Sequence, residues 1–323
     1  MSVNNILVTS AGKRVTLVKL FQVELKRIFP EGNVFTTELN PKMSPAAIIS
    51  DGCFEVPKVT ADDYIEKLLD ICLSNFIQLV IPTIDTELSV LSANKTLFKQ
   101  HGIDLIVSDS SFIKTCRDKR NTNLFFNHAN IQIPRPIDRN NPSFPLFAKP
   151  YDGSLSKDLF VVNSMEGLTS EILNNPKLIF MEYIDKAAFK EFTVDMYYGK
   201  DNHVKSIVPR ERVEVRAGEI NKGFTRKNNL VEYLRERLEY IHGVVGCICV
   251  QLFYNETTHE VLGIEINPRF GGGYPLSYYA KANYPLYLIK EYLQHQEIGY
   301  SDAWLDNTLL LRYDNELIVY AEN

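Results

Sequence analysis

Long apolar runs are missing from this 323-residue chain: none approaches the ~18 residues that a membrane span requires. Its amino terminus, MSVNNILVTSAGKR, also lacks the apolar stretch of a signal peptide. The expectation is a cytoplasmic protein with no membrane partner. Positive charge is in deficit too, with 35 Lys and Arg against 40 Asp and Glu, a net charge of −5 and a pI near 5.8. Nucleic acid is therefore not an expected partner, and any anionic ligand must be held by local basic residues. The five cysteines, Cys53, Cys72, Cys116, Cys247 and Cys249, are odd in number and contain no CxxC pair. That spacing suits neither a disulfide framework nor a zinc site. Cys247 and Cys249 fall on one face of an expected strand and read as buried thiols. The six histidines are scattered, and no Ser-His-Asp or Cys-His set suggests a covalent enzyme intermediate. There is no internal repeat and no low-complexity linker.

What remains is an ordinary globular profile, 45% hydrophobic and 23% charged, long enough for two or three domains. The first third alternates short apolar strands (residues 5–9, 34–37, 79–82 and 105–107) with helical patterns over residues 15–28, 62–73 and 85–99. Strands alternating with helices predict a parallel α/β sheet. The strand-turn-helix opening raises dinucleotide binding, but its loop holds one glycine where the fingerprint needs three. Gly12 and the helix start after it can still hold an anionic group of a substrate.

A helical stretch over residues 112–135 follows, ending in the stiff Ile133-Pro134-Arg135-Pro136 connector. Strands at 146–150 and 159–162 flank a polar loop, and a third strand runs over 178–184. From Lys190 onward the pattern turns antiparallel, with strands at 191–198 and 203–214, a helix over 230–242 and a strand at 247–254. A helix over 284–294 and a strand over 308–313 end the series.

One stretch organises the rest: Val261-Leu262-Gly263-Ile264-Glu265-Ile266-Asn267-Pro268-Arg269-Phe270, followed by Gly271, Gly272 and Gly273. Alternation places Glu265 and Asn267 on one strand face, where a carboxylate and an amide oxygen can grip a hard cation such as Mg²⁺. A hairpin centred near Thr258 sets Gln251 opposite Glu265, with Cβ atoms ~5 Å apart. Arg269 and the glycines add a cation and a backbone open to an anion. Taken alone, the stretch is equally an edge strand with solvated polar groups before a glycine turn.

These markers come in an order that resembles the ATP-grasp superfamily, most closely its carbamoyl-phosphate-synthetase-like branch: Asp118-Lys119, Ala148-Lys149-Pro150, Met181-Glu182-Tyr183-Ile184, Glu191, Gln251, and Glu265-Ile266-Asn267-Pro268-Arg269. The resemblance covers nearly the whole chain. It implies an N-terminal Rossmann-like pre-ATP-grasp α/β domain (1–111), then a two-lobed α+β ATP-grasp fold. Its small lobe with the linker helix would take 112–185, and its large lobe with the metal site 186–323.

Carried over residue by residue, the resemblance implies that Lys119 and Lys149 contact ATP phosphates from the two sides of a cleft. It implies a flap over the phosphates from Gly153, Ser154 and Ser156, in a loop poorer in glycine than the family's. Glu182, Tyr183 and Ile184 resemble the hinge that reads adenine, and Glu191 the acid that holds ribose hydroxyls. Gln251, Glu265 and Asn267 resemble the set that bridges two Mg²⁺ ions, with Mn²⁺ as a substitute, to the phosphates. Arg269, with Arg210 or Arg212, would stabilise the developing acyl phosphate, and the glycines could offer backbone amides to the same oxyanion.

The implied activity is an ATP-dependent ligase joining a small carboxylate to an amine or ammonia, with ADP and phosphate released. Two rivals are a nucleotide-binding regulatory protein with lapsed catalysis and one half of a homodimeric carbamoyl-phosphate-synthesising enzyme. Substrate-side residues are expected around Gly12-Lys13-Arg14, Asp85-Thr86-Glu87 and residues 210–218.

Overall fold

The computed structural model describes residues 4–153 and 158–320. Its first unit is a five-stranded sheet of parallel pairs in the order β3-β2-β1-β4-β5, built from β1 (Asn5–Thr9), β2 (Val34–Glu38), β3 (Cys53–Glu55), β4 (Ile77–Pro82) and β5 (Asp104–Leu105). Helix α1 (Val15–Ile28) covers one face with Leu17, Val18, Leu20, Phe21 and Leu25, the residues its 3.6-residue period selects. The short α2 (Pro45–Ile49) follows β2, and α3 (Tyr64–Ser74), α4 (Asp85–Ala93) and α5 (Lys95–Gln100) complete the layers. A single helix over 85–99 was the expectation. Asn94 ends α4 instead, its side chain donating to Val90 O at 2.8 Å and satisfying a carbonyl of the last turn.

Strand order reverses between β1 and β4, so the crevice above their carboxyl ends is where such sheets bind ligands. The loops bounding it are fixed from beneath by the fully buried Glu87. Its carboxylate accepts from Thr83 N (2.7 Å), Ile84 N (3.2 Å) and Ser10 Oγ (2.9 Å). Burial pushes this carboxyl's pKa up, and the backbone amides oppose the rise.

Helices α6 (Ser110–Arg117) and α7 (Lys119–His128) replace the continuous helix expected over 112–135. The break is Asp118, extended at φ −117° and ψ 112°, whose side chain accepts from Arg120 N and so caps α7. Beyond it lie the small antiparallel sheet β7-β6-β8, made of β6 (Leu146–Pro150), β7 (Phe160–Val162) and β8 (Leu178–Glu182), and the short α8 (Ser170–Asn174).

The six-stranded antiparallel sheet, in the order β13-β12-β9-β10-β11-β14, takes most of the remaining chain. Its strands are β9 (Lys190–Tyr198), β10 (Val204–Arg216), β11 (Glu219–Thr225), β12 (Gly246–Tyr254), β13 (Val261–Asn267) and β14 (Leu309–Leu311). Helix α9 (Leu230–Leu238) buries Leu230, Leu234 and Leu238 against it; α10 (Tyr274–Tyr279) and α11 (Tyr284–Leu288) follow the glycine turn, and α11 continues as a π-helical turn over Ile289–Leu293. Strand β11 and helix α10 were not expected. The first alternates polar residues around Gly223, and the second is too short to show a period.

Hairpin β12–β13 has the expected register, with Gln251 opposite Glu265 and Val250 opposite Ile266. Leu252 then pairs with Gly263, which leaves Ile264 as the extra residue of a bulge. Gly263 lies against α7: a Cβ there would sit 2.6–2.9 Å from the ring of the buried Phe126. The absence of a side chain lets strand and helix approach, and this helix carries Lys119 at its start. Gly263→Ala should therefore destabilise the fold by about 1–3 kcal/mol through overpacking, read as a lower denaturant midpoint at unchanged slope. A midpoint equal to wild type would show that this packing is not tight.

Candidate active site

Lys119 opens α7, its amide donating to Tyr151 O at 2.8 Å, and Lys149 ends β6 on the opposite side of β13. Lys119 Nζ donates to Gly153 O at 2.6 Å and lies 3.7 Å from Glu265 Oε2; Lys149 Nζ reaches Ile264 O, the bulge carbonyl, at 3.5 Å. Both lysines are over nine-tenths buried. Two ammonium groups thus converge on one carboxylate. Burial drives the pKa of Lys149 down to about 8, with Glu265 opposing the shift and Lys119 adding to it. The arrangement holds more positive charge than it neutralises, which is the condition for gripping a polyphosphate.

The side chains around Glu265 form a chain of contacts. Asn267 Nδ2 donates to Glu265 Oε1 at 3.1 Å, and Arg269 Nη2 donates to Asn267 Oδ1 at 3.4 Å and to Asp85 Oδ2 at 2.8 Å. Gln251 sits across from Glu265, but its Nε2 donates to Glu191 Oε1 at 2.6 Å, and Arg212 Nε lies 2.9 Å from the same oxygen. Glu191 is therefore tied to its own strand neighbours. One carboxylate and two amide oxygens on adjacent strands, facing two lysines, suit Mg²⁺ when phosphate oxygens complete its shell.

The remaining expected residues are spread around this centre. Glu182 is engaged with the connector: its amide donates to Arg135 O at 2.8 Å and its carboxylate accepts from Arg135 N at 2.8 Å. Tyr183 N donates to Pro145 O at 3.3 Å, and Ile184 is half-buried beside it. The Glu182 carboxylate is thus held by the connector. Gly153 supplies its carbonyl to Lys119, whereas Ser154 and Ser156 lie outside the described residues. Arg212 also donates from Nη1 to Thr193 Oγ1 and from Nη2 to Gly218 O, both at 3.1 Å.

Arg210 is not brought into the cleft. It is 2% exposed, with Nε and Nη2 donating to the two oxygens of Asp195 at 2.7 and 2.8 Å. It lies beneath the glycine turn, where a Cβ on Gly273 would fall 2.1 Å from Arg210 Nη1. Cys247 and Cys249 are buried with Asp195 in a cluster of metal-ligand type. The guanidinium already neutralises that carboxylate, and burial raises the Cys247 thiol's pKa well above its ordinary value, so the group reads as packing. The Asp195 hub was missed from sequence; its one signal is a lone acid in the apolar run Phe192-Thr193-Val194-Asp195-Met196. Arg14, Glu219 and Arg312 also meet beside the turn; of these, Glu219 and Arg312 stood outside the expected substrate-side segments.

Two outcomes follow. A folded chain that releases the Lys149 proton near pH 8, before the unfolded chain does, gains stability from this group as pH rises above 8. MgATP binding should do the reverse, taking up a proton at about pH 9 and weakening as pH climbs. Calorimetry in buffers of different ionisation enthalpy reads that uptake, and Lys149→Arg should abolish it; equal uptake in the variant would exclude Lys149 as its source. Arg210→Met should lower stability by about 3–5 kcal/mol, because it strands a buried carboxylate; denaturation at neutral pH measures it.

The family described as "PylC-like, N-terminal domain" matches residues 6–106, and that described as "ATP-grasp in the biosynthetic pathway with Ter operon" matches residues 174–308. No curated protein matches the sequence. Among solved structures, the biotin carboxylase domain of Hydrogenobacter thermophilus 2-oxoglutarate carboxylase, in complex with MgADP, ADP and bicarbonate, is 13% identical with a TM-score of 0.71, over 96% of this chain and 74% of that one. N5-carboxyaminoimidazole synthetase from Staphylococcus aureus, complexed with ADP, is 14% identical with a TM-score of 0.67, over 95% and 79%. An L-amino acid ligase from Bacillus licheniformis is 15% identical with a TM-score of 0.65, over 91% and 75%. The two matches come in chain order, the second of them to an ATP-grasp family, and the chain has the fold of these solved carboxylases and ligases, a parallel sheet followed by a pair of antiparallel sheets.

Proposed function

We propose that this chain is an ATP- and Mg²⁺-dependent ligase that joins a small carboxylate to an amine or ammonia through an acyl phosphate. The observation that carries the reading is the convergence of Lys119 and Lys149 on Glu265, with Asn267 ending the same strand and Arg269 just beyond it bonded to Asp85 of the first domain. Neighbours of the same fold bind MgADP with bicarbonate, or are named for ligating amino acids, which supports the class of reaction. Residues 1–111, 112–185 and 186–323 are taken as the first domain, small lobe and large lobe, and a homodimer as the assembly.

In this reading the two lysines hold the phosphates, while Glu182, Tyr183 and Ile184 line the adenine end and Glu191 the ribose end. Gln251, Glu265 and Asn267 would hold two Mg²⁺ ions, replaceable by Mn²⁺, which would supply charge neutralisation at the phosphates. A substrate carboxylate oxygen forms the new bond to phosphorus, and ADP leaves with the electrons of the old one. The amine then attacks the acyl carbon, phosphate departs with the C–O electrons, and the amine loses a proton. Arg269, assisted by Arg212, matches the carboxylate and phosphate oxygens with its planar fork. Arg210 acts by supporting the glycine turn.

The experiment is direct: protein, MgATP and pools of amino and hydroxy acids, each with ammonia or an amine, followed by ADP release. Turnover that needs both an acid and an amine is expected. ATP binding without turnover in every pool would favour the regulatory reading. Glu265→Ala, which removes the one carboxylate of the metal set, should cut turnover on the order of 100-fold or more; near-normal activity would sink the assignment.

A further inference from the structure

At the junction of the crevice and the glycine turn, two half-buried arginines each keep a buried nitrogen with hydrogen-bonding capacity to spare. Arg14, from the loop that leads into α1, is 17% exposed, and its Nη1 is 3.9 Å from Glu219 Oε1, too far for a hydrogen bond. Arg14 Nη1 and Arg269 Nε are both buried and donate to nothing among the described residues. Their nearby acids are already engaged: Glu219 Oε2 accepts from Arg312 Nη1 at 2.6 Å, and Asp85 Oδ2 from Arg269 Nη2 at 2.8 Å. Burial first and the proximity of Arg269 second lower the pKa of Arg14, with Glu219 and Asp85 opposing.

The backbone completes the setting. Arg14 lies against the turn, where a Cβ on Gly272 would fall 2.8 Å from Arg14 Nη1 and 2.6 Å from Glu219. Arg312 Nη2 fixes the turn by donating to Gly272 O at 2.6 Å. The amides of Gly271, Gly272 and Gly273 make no backbone hydrogen bond among the described residues. Across the gap, the first domain holds its own loop in place: Gly12 N and Ser44 Oγ donate to Glu38 Oε1.

We infer that Arg14 and Arg269 form a two-arginine seat for the carboxylate of the acceptor, closed across the boundary between the first domain and the large lobe, with Arg14 the residue that sets acceptor affinity. This rests on the ligase reading above and adds a binding residue from the first domain. Arg269 stays next to the chemistry; Arg14 reaches the same planar group from the other side. A carboxylate there meets both unpartnered nitrogens and separates the two like charges. Nucleotide contacts lie on the far side of Asn267, so ATP affinity is independent of Arg14.

The test uses acetate as a minimal carboxylate and chloride at equal ionic strength as control. Acetate should raise the melting temperature of the wild-type protein above the chloride value. Arg14→Met should lose that difference, and Arg14→Lys should keep part of it, which guards against a folding defect in the methionine variant. MgATP affinity, measured by calorimetry in the same samples, should change by no more than about twofold in either variant. With the acid that drives ADP release, Arg14→Met should raise KM by about tenfold or more with a smaller change in kcat. Equal acetate effects in wild type and Arg14→Met, or none in wild type, would overturn the seat. Failure of the wild-type protein to bind MgATP would instead count against the ligase reading itself.

Discussion

Asp195 and Arg210 form a buried ion pair on which the geometry of the large sheet depends. The carboxylate accepts two bonds from Arg210 and one from Ser277 Oγ at 2.6 Å, and Cys249 Sγ lies 3.1 Å away. Tyr284 Oη donates to the Asp195 backbone carbonyl at 3.0 Å. Strands β9, β10 and β12 and helices α10 and α11 are thereby tied at one point. A buried charge pair contributes little net stability unless its remaining hydrogen-bonding capacity is filled, and here it is filled. Its structural consequence is the glycine turn. Arg210 occupies the space that a side chain at Gly273 would need and Cys249 Sγ the space at Gly271, so the turn lies directly on this cluster.

Above that turn the electrostatics change character. The chain carries a net charge of −5, yet two buried lysines, Lys119 and Lys149, share the single carboxylate of Glu265. Local fields of this kind act on bound anions because low-dielectric surroundings screen them poorly. Stability is sacrificed for readiness. Lys149, whose ammonium makes a long 3.5 Å contact to the Ile264 carbonyl, shows it most plainly through its depressed pKa. The β-bulge is what presents that carbonyl, since Ile264 has no partner across the hairpin.

How much of this was legible in the sequence follows from the range of the interactions. The Gln251–Glu265 pairing could be counted out because a short hairpin fixes register locally. Helix α1 was read to its ends because a long amphipathic period overrides single residues. The interruptions at Asn94 and Asp118 were not, because one side chain bonding to nearby backbone defeats a favourable period. Segment Glu219–Thr225 escaped because its partners, β10 and the distant β14, supply the pattern that its own residues lack. Asp195 escaped for the same reason: its partners lie 15, 54 and 82 residues away. The flap was legible as a polar loop, but Ser154 and Ser156 fall outside the described residues.

The order of contacts along β13 gives the site its scale. Lys119 meets Glu265, Glu265 meets Asn267, Asn267 meets Arg269, and Arg269 meets Asp85 of the first domain, each within 3.7 Å. Glu265 and Asn267 are two residues apart on β13, a rise of roughly 6.6 Å at about 3.3 Å per residue, and Arg269 follows in a turn closed by its amide to Asn267 O at 2.9 Å. An anion held near Glu265 and another held near Arg269 would then be separated by an interval that this backbone segment dictates. Side chains on mobile loops could not hold that interval, because in-line transfer tolerates errors only on the order of 1 Å. Placing Glu265 and Asn267 at the end of β13, with Arg269 in the turn that follows and Asp85 bonded to it, makes the backbone the ruler. The chemistry of the acceptor is left to the residues that approach from the first domain, where Arg14 meets the turn.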